Sequence, residues 1–152
     1  MRRLGKEDGF VGGFEALPFG FLVLVAGTLL LVNAWAVRDA NLAASAAARE
    51  AVRALVESGG EETARTAAAG AAVDAVVGQG KDPDRMTLRW SGGWGRCEPV
   101  TATVTYAVPT VIVPWIGVFG GIIRTSAHHT EVVDPYRSGL DVDSFAPESC
   151  RG

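Results

Sequence analysis

From Ala16 to Val37 the chain is apolar almost throughout and carries no charged residue. A helix of these 22 residues would extend about 33 Å at 1.5 Å per residue, enough to cross a hydrocarbon core of about 30 Å. A secretory signal is usually shorter and ends at a small-residue cleavage site. Here the apolar run continues through Leu31-Val32-Asn33-Ala34-Trp35-Ala36-Val37 with no such site before Arg38, and Trp35 stands where an interfacial aromatic would. Beyond Val37 the pattern changes. Ala40, Ala44, Ala47, Ala48, Ala51, Val52, Leu55 and Val56 recur at spacings of three and four, with Asn41, Ser45, Arg49 and Arg53 between them. That period predicts a helix continuing to Glu57, so that one rod runs from Gly13 to Glu57. Ser58-Gly59-Gly60 supplies a stop. A second helix is expected from Glu61 to Val77, with two acids in its first turn and a narrow alanine face (Ala64, Ala68, Ala71, Ala72, Ala75, Val76). It would pack on the first helix as an αα-hairpin.

Period two then replaces period three to four. Met86 to Trp90 alternates, and Ser91-Gly92-Gly93-Trp94-Gly95 reads as a loop. In Val100 to Val108 the odd-numbered Thr101, Thr103 and Thr105 lie opposite Val100, Ala102, Val104, Tyr106 and Val108. A third run covers Ile122 to Val133. The fold expected is α+β: a long N-terminal helix that is transmembrane and then extends outside, a second helix forming a hairpin with it, and about three antiparallel strands. Between the last two strands, Pro109 to Gly121 is uncharged and carries Val111, Ile112, Trp115, Ile116 and Phe119. Pro114, Gly117 and Gly120 interrupt it, which excludes a second membrane span. Two readings stay open: a buried connection, or an exposed apolar loop that contacts lipid or a partner. The end of the chain from Asp134 is acidic, rich in Pro, Ser and Gly, and is expected to be disordered.

The organisation is therefore a leader at 1–15, a membrane helix at 16–37, an extracytoplasmic head at 38–133 and a tail at 134–152. Arg2, Arg3 and Lys6 precede the apolar run, whereas Arg38 beyond it is offset by Asp39, so the N-terminus is expected in the cytoplasm. Within the run, Gly13, Gly20, Gly27 and Ala34 recur every seven residues. Small residues on one stripe let helices approach closely in lipid. Pro18 should kink the helix or mark its first turn. Glu15 stands at the membrane edge, either wetted by headgroups at a helix N-terminus or paired with another subunit.

Composition adds mainly exclusions. The net charge of −3 and the lack of basic runs give no support for nucleic-acid binding. Cys97 and Cys150 are the only cysteines of the 152 residues. They could form one bridge if the head lies outside the cytoplasm, or remain two thiols. His128 and His129 are adjacent on a strand, so they face opposite ways and share no metal. No nucleophile–base pair or phosphate-binding glycine loop is legible. The reading is a non-enzyme with neither metal nor cofactor.

The order of these parts resembles TadE-like (TadE/TadG-type) proteins, minor pilin-like components of tight-adherence pilus systems. The features that carry the likeness are the short basic start, the Gly followed by Glu at the membrane edge, the single N-terminal membrane helix and the segment Ala46-Ala47-Ala48-Arg49-Glu50-Ala51. The repeat from Thr101 to Pro109 and Ser126-Ala127 in the last strand are also similar. The likeness covers roughly residues 5 to 134. It implies a subunit that packs beside other pilin-like helices or on a pilus assembly platform, at the cytoplasmic membrane or on the surface. In such families a prepilin peptidase cuts after a Gly, and a Glu five residues into the mature chain docks the subunit. Carried over, the cut falls between Gly9 and Phe10 and puts Glu15 sixth instead of fifth. That shift leaves two forms open: a cleaved subunit and an uncut, anchored assembly factor. A membrane-anchored binding module of another envelope or secretion complex is the alternative outside this family.

Overall fold

The computed structural model describes residues 8–109 and 121–136, with side chains from Leu17 onward. The chain is α+β, ordered α1 (Asp8–Glu57), α2 (Glu61–Gly78), a 3-10 turn (Pro83–Arg85), β1 (Met86–Gly92), β2 (Pro99–Pro109) and β3 (Ile122–Val132). It divides into two parts, residues 1–36 and 37–152.

α1 starts at Asp8, earlier than the expected Gly13. Pro18 accordingly lies well inside the helix and not in its first turn. In the second part of the chain, α1 buries Ala40, Ala43, Ala44, Ala47, Ala48, Ala51, Val52 and Leu55. α2 buries Ala64, Ala68, Ala72 and Val76, one residue per turn. Each methyl removed from water contributes about 0.8 kcal/mol. The greater effect of alanine here is steric, since it lets backbones pack closely. Leu55 of α1 meets Ala64 and Ala68 of α2, Val100 of β2 and Val133, with Trp90 and Trp94 packed on the same cluster.

The ends of α2 follow from their residues. Glu61 and Glu62 occupy its first turn, where acids offset the positive end of the helix dipole. At the other end Gly80 takes φ +68, its N–H donates to the Val77 carbonyl at 2.8 Å, and the Lys81 N–H donates to the Val76 carbonyl at 3.1 Å. This is the glycine-terminated motif that satisfies the last helical carbonyls. Asp82 caps the following turn by accepting from the Asp84 N–H at 3.1 Å.

The sheet has strand order β1-β2-β3, antiparallel throughout. Val100, Ala102, Val104, Tyr106 and Val108 are buried, as their alternation with threonine predicts. Across the strands, Leu88, Val104 and Ala127 share a row, as do Met86, Tyr106 and Thr125. On the opposite face Arg89, Thr103 and His128 form one row and Ser91, Thr101 and Thr130 another, with the Thr101 and Thr130 hydroxyls 2.7 Å apart.

β1 is longer than its sequence pattern suggested: Ser91 and Gly92, read as loop, pair with Thr101 and Val100. Gly92 has φ +99, and a Cβ there would lie 2.1 Å from the Pro99 carbonyl oxygen. Gly92→Ala should therefore lower stability by about 2–3 kcal/mol, measured as a drop in the thermal unfolding midpoint. Equal midpoints for variant and wild type would show that the hairpin does not need this backbone.

Candidate functional site: an exposed apolar helix and a two-ended head

Among the described residues one helical stretch, Leu17–Glu57, is long and apolar enough to cross a membrane. Its exposure reverses along its length. Phe19, Leu30 and Trp35 are 71, 72 and 70 % exposed, whereas Ala40 is 2 % exposed and Ala43, Ala44, Ala47 and Ala48 are fully buried. Large apolar side chains thus face outward before Val37, and small ones face a core after it. Burial of a Leu or Phe side chain contributes roughly 1.5–3 kcal/mol. Leaving Leu17, Phe19, Phe21, Leu22, Leu30 and Leu31 in water therefore forfeits about as much as the 5–15 kcal/mol net stability of a whole domain. That surface requires a cover.

Polar groups within the stretch bond to their own helix. The Thr28 hydroxyl donates to the Leu24 carbonyl and the Asn33 side-chain amide to the Leu29 carbonyl, both at 2.8 Å. Such local satisfaction suits a medium without water. Of the small-residue stripe, Gly20 and Gly27 have open space where a Cβ would stand, and Ala34 is exposed. Gly9, Phe10, Gly13 and Glu15 fall within α1, but their side chains lie outside the described residues.

The second part of the chain has two distinct ends, because its elements alternate in direction. At the Val37 end, the Asn41 amide donates to the Thr125 hydroxyl at 2.7 Å, Asp39 pairs with Lys81, and the Asp82 N–H donates to the Tyr106 hydroxyl at 3.2 Å. Pro109 and Ile122, which face each other across β2 and β3, lie at this end too. Arg85, Ala107, Pro109 and Ile122 line an open cleft of about 230 Å³. The apolar connection carrying Val111, Ile112, Trp115, Ile116 and Phe119 lies outside the described residues.

At the Leu55 end, the loop between β1 and β2 grips the segment after β3. The Cys97 N–H donates to the Val133 carbonyl at 2.9 Å and the Val133 N–H to the Glu98 carbonyl at 3.1 Å. The Arg96 guanidinium donates to the Pro135 carbonyl. Cys97 is buried, has φ 61 and is disulfide-bonded. Cys150, the other cysteine of the sequence, lies outside the described residues. Nearby, Glu57 accepts a hydrogen bond from Arg53 at 2.9 Å and raises the pKa of that guanidinium.

His128 and His129 point to opposite faces, beside Thr103 and Ala102 respectively. His129 Nε2 lies 3.5 Å from Glu131, and among the described residues no three His, Cys, Asp or Glu side chains converge as metal ligands would. Sequence reasoning missed the Asn41–Thr125 and Asp39–Lys81 contacts and the Arg85 cleft. No local signal could have found them, because each joins residues far apart in the chain. Comparison with protein-family models, curated proteins and solved structures gives no match for this chain.

Proposed function

We propose that this chain is a pilin-like minor subunit, or a membrane-anchored assembly factor, of a tight-adherence type pilus. It acts by helix packing in the cytoplasmic membrane and by protein contacts of its head, with no catalytic step. The carrying observation is the reversal of exposure along α1: a continuous helix that is apolar and outward-facing before Val37 and alanine-lined and buried after it. A subunit that packs beside others in a membrane needs this division. Its open glycine positions Gly20 and Gly27 suit close helix approach.

Two observations support an N-terminus in the cytoplasm and a head outside. Arg2, Arg3 and Lys6 precede the apolar run, in keeping with the positive-inside rule. The disulfide at Cys97 suits an oxidising compartment.

Intact mass of the protein from its native membrane, together with its presence in sheared surface fibres, tests the reading. A chain beginning at Phe10 and found in fibres identifies a processed pilin-like subunit. A chain beginning at Met1, retained in the membrane and cross-linked to pilus assembly proteins, identifies the anchored factor. Retention at Met1 without any pilus partner would discard the pilus assignment and leave a binding module of another envelope complex.

A further inference from the structure

We infer that β3 takes β1 of a second copy of this chain as a parallel neighbour, so that copies join head to tail through their sheet edges. The sheet has order β1-β2-β3, and among the described residues no further strand pairs with β1 or β3. A free edge presents a row of unpaired N–H and C=O groups that another strand can complete. Edges that stay alone are commonly blunted by proline, lysine, a bulge or short length. β3 is 11 residues long, keeps an unbroken register with β2 from Ile122 to Val132, and contains neither proline nor lysine. Its charged residues, Arg124 and Glu131, stand near its two ends. The direction of its backbone groups follows from Val133, whose N–H donates to the Glu98 carbonyl and whose carbonyl accepts from the Cys97 N–H. Val133 therefore faces β2, and because antiparallel ladders alternate, so do Glu131, His129, Ala127 and Thr125. The N–H and C=O groups of Arg124, Ser126, His128 and Thr130 point to the open edge.

The two open edges fit each other in direction and in facing. Both outer strands are antiparallel to β2, so β1 and β3 run parallel, and a copy related by translation lays its β1 along β3 in parallel orientation. By the same alternation Thr87 and Arg89 bond toward β2, and Leu88 and Trp90 turn to the open edge of β1. In a parallel pair, a residue that reaches across lies beside one that turns away. Ser126 and His128 then lie beside Thr87 and Arg89 of the second copy, all of them exposed side chains of the solvent face. Leu88 and Trp90 of the second copy lie beside Ala127 and His129, on the face where the helices pack. These are half-buried at the sheet edges, whereas Ala102 and Val104 on the central strand are fully buried, and the added strand completes their cover. A contact of this head-to-tail kind leaves one β1 and one β3 open at the ends of the row, so further copies extend it. The inference draws only on residues of the sheet and does not depend on the membrane reading of α1.

The test uses the full chain in detergent micelles, carrying Thr87→Cys together with Arg124→Cys, Ser126→Cys or His128→Cys in turn. All of these positions are exposed. Each protein is oxidised with copper phenanthroline and separated by non-reducing electrophoresis. Within one chain Thr87 and Ser126 share a row with Thr105 between them, which puts them two strand spacings, about 9.5 Å, apart. A disulfide spans only about 4.4–6.8 Å between Cα atoms, so a bridge has to join two copies. Successive outward positions on β3 are about 6.7 Å apart, so any one register suits one of the three pairs. The expected result is a ladder of covalent multimers from one combination, at a yield about tenfold above the other two. Wild type and each single-cysteine variant should remain monomeric. Equal ladders from all three combinations mean random collision and overturn the inference. A dimer from Ser126→Cys alone overturns it in favour of antiparallel β3 pairing. Absence of any ladder overturns the edge contact and leaves the proposed function standing, because that rests on α1.

Discussion

Leu24→Arg should prevent stable membrane insertion of α1, whereas Leu42→Arg should leave it unchanged. Both leucines are on the same helix, and both are exposed, at 66 and 56 %. In a helix that merely stands in water, the two substitutions would be equivalent and would each relieve exposed apolar surface. In a helix whose first part lies in lipid they differ sharply. An arginine near the middle of a span costs about 3 kcal/mol by insertion measurements, which shifts the insertion equilibrium by roughly a hundredfold. Leu42 lies five residues beyond the uncharged run, where a guanidinium meets water or headgroups. Alkaline extraction of membranes from cells producing each variant reads the outcome. Wild type and Leu42→Arg should stay in the pellet, and Leu24→Arg should be released or degraded. Retention of both variants would mean that the apolar stretch is not a span.

Ala68→Leu should destabilise the head by about 2–3 kcal/mol, and Ala67→Leu by less than about 0.5 kcal/mol. Ala68 is fully buried between Leu55, Val100 and Val133, while Ala67, the preceding residue on α2, is exposed. Leucine and alanine are both good helix formers, so intrinsic propensity hardly separates the two variants. Three extra carbons at position 68 must push α2 away from α1 and the sheet, because a close-packed interior has no room for them. Chemical denaturation in detergent, followed by tryptophan fluorescence, measures the difference, since Trp90 and Trp94 pack on the same cluster. Equal stability for the two variants would mean that the Ala64/Ala68/Ala72/Val76 row is not a close helix contact.

Much of this fold is legible in the sequence where a single period dominates. β2 is an example: Val and Thr alternate over its length, both branched residues suit an extended backbone, and one face is uniformly apolar. The α2 row is legible for the same reason, and Gly80 declares the helix end by its need for a positive φ. Reading fails where conformation depends on the partner strand. Ser91-Gly92 looks like a turn because glycine commonly makes one, yet Gly92 pairs with Val100 and uses its missing Cβ to admit the Pro99 carbonyl. The start of α1 at Asp8 is not legible, because Gly9, Gly12 and Gly13 weaken a helical signal that the apolar run beyond them carries. At the candidate site, the apolar character of residues 17–37 is plain from composition, and so is the opposed facing of His128 and His129. Which loops share an end of the head is not plain, because that follows from Asp39–Lys81, Asn41–Thr125 and the strand registers.

The strand order β1-β2-β3 also bears on how the chain acquires its structure. Every neighbouring pair in the sheet is consecutive in sequence, and α2 follows directly on the helix it packs against. Contact order is therefore low for a sheet-containing head, and no strand must wait for a later one to slip between it and its neighbour. A chain delivered from its N-terminus can complete the helix pair first and then extend the sheet one edge at a time. Residue 133, which ties the end of β3 back to the loop around Cys97, is reached only after all three strands have been made. Covalent closure at that cysteine thus seals a sheet already in register, and assembly order is written into the topology.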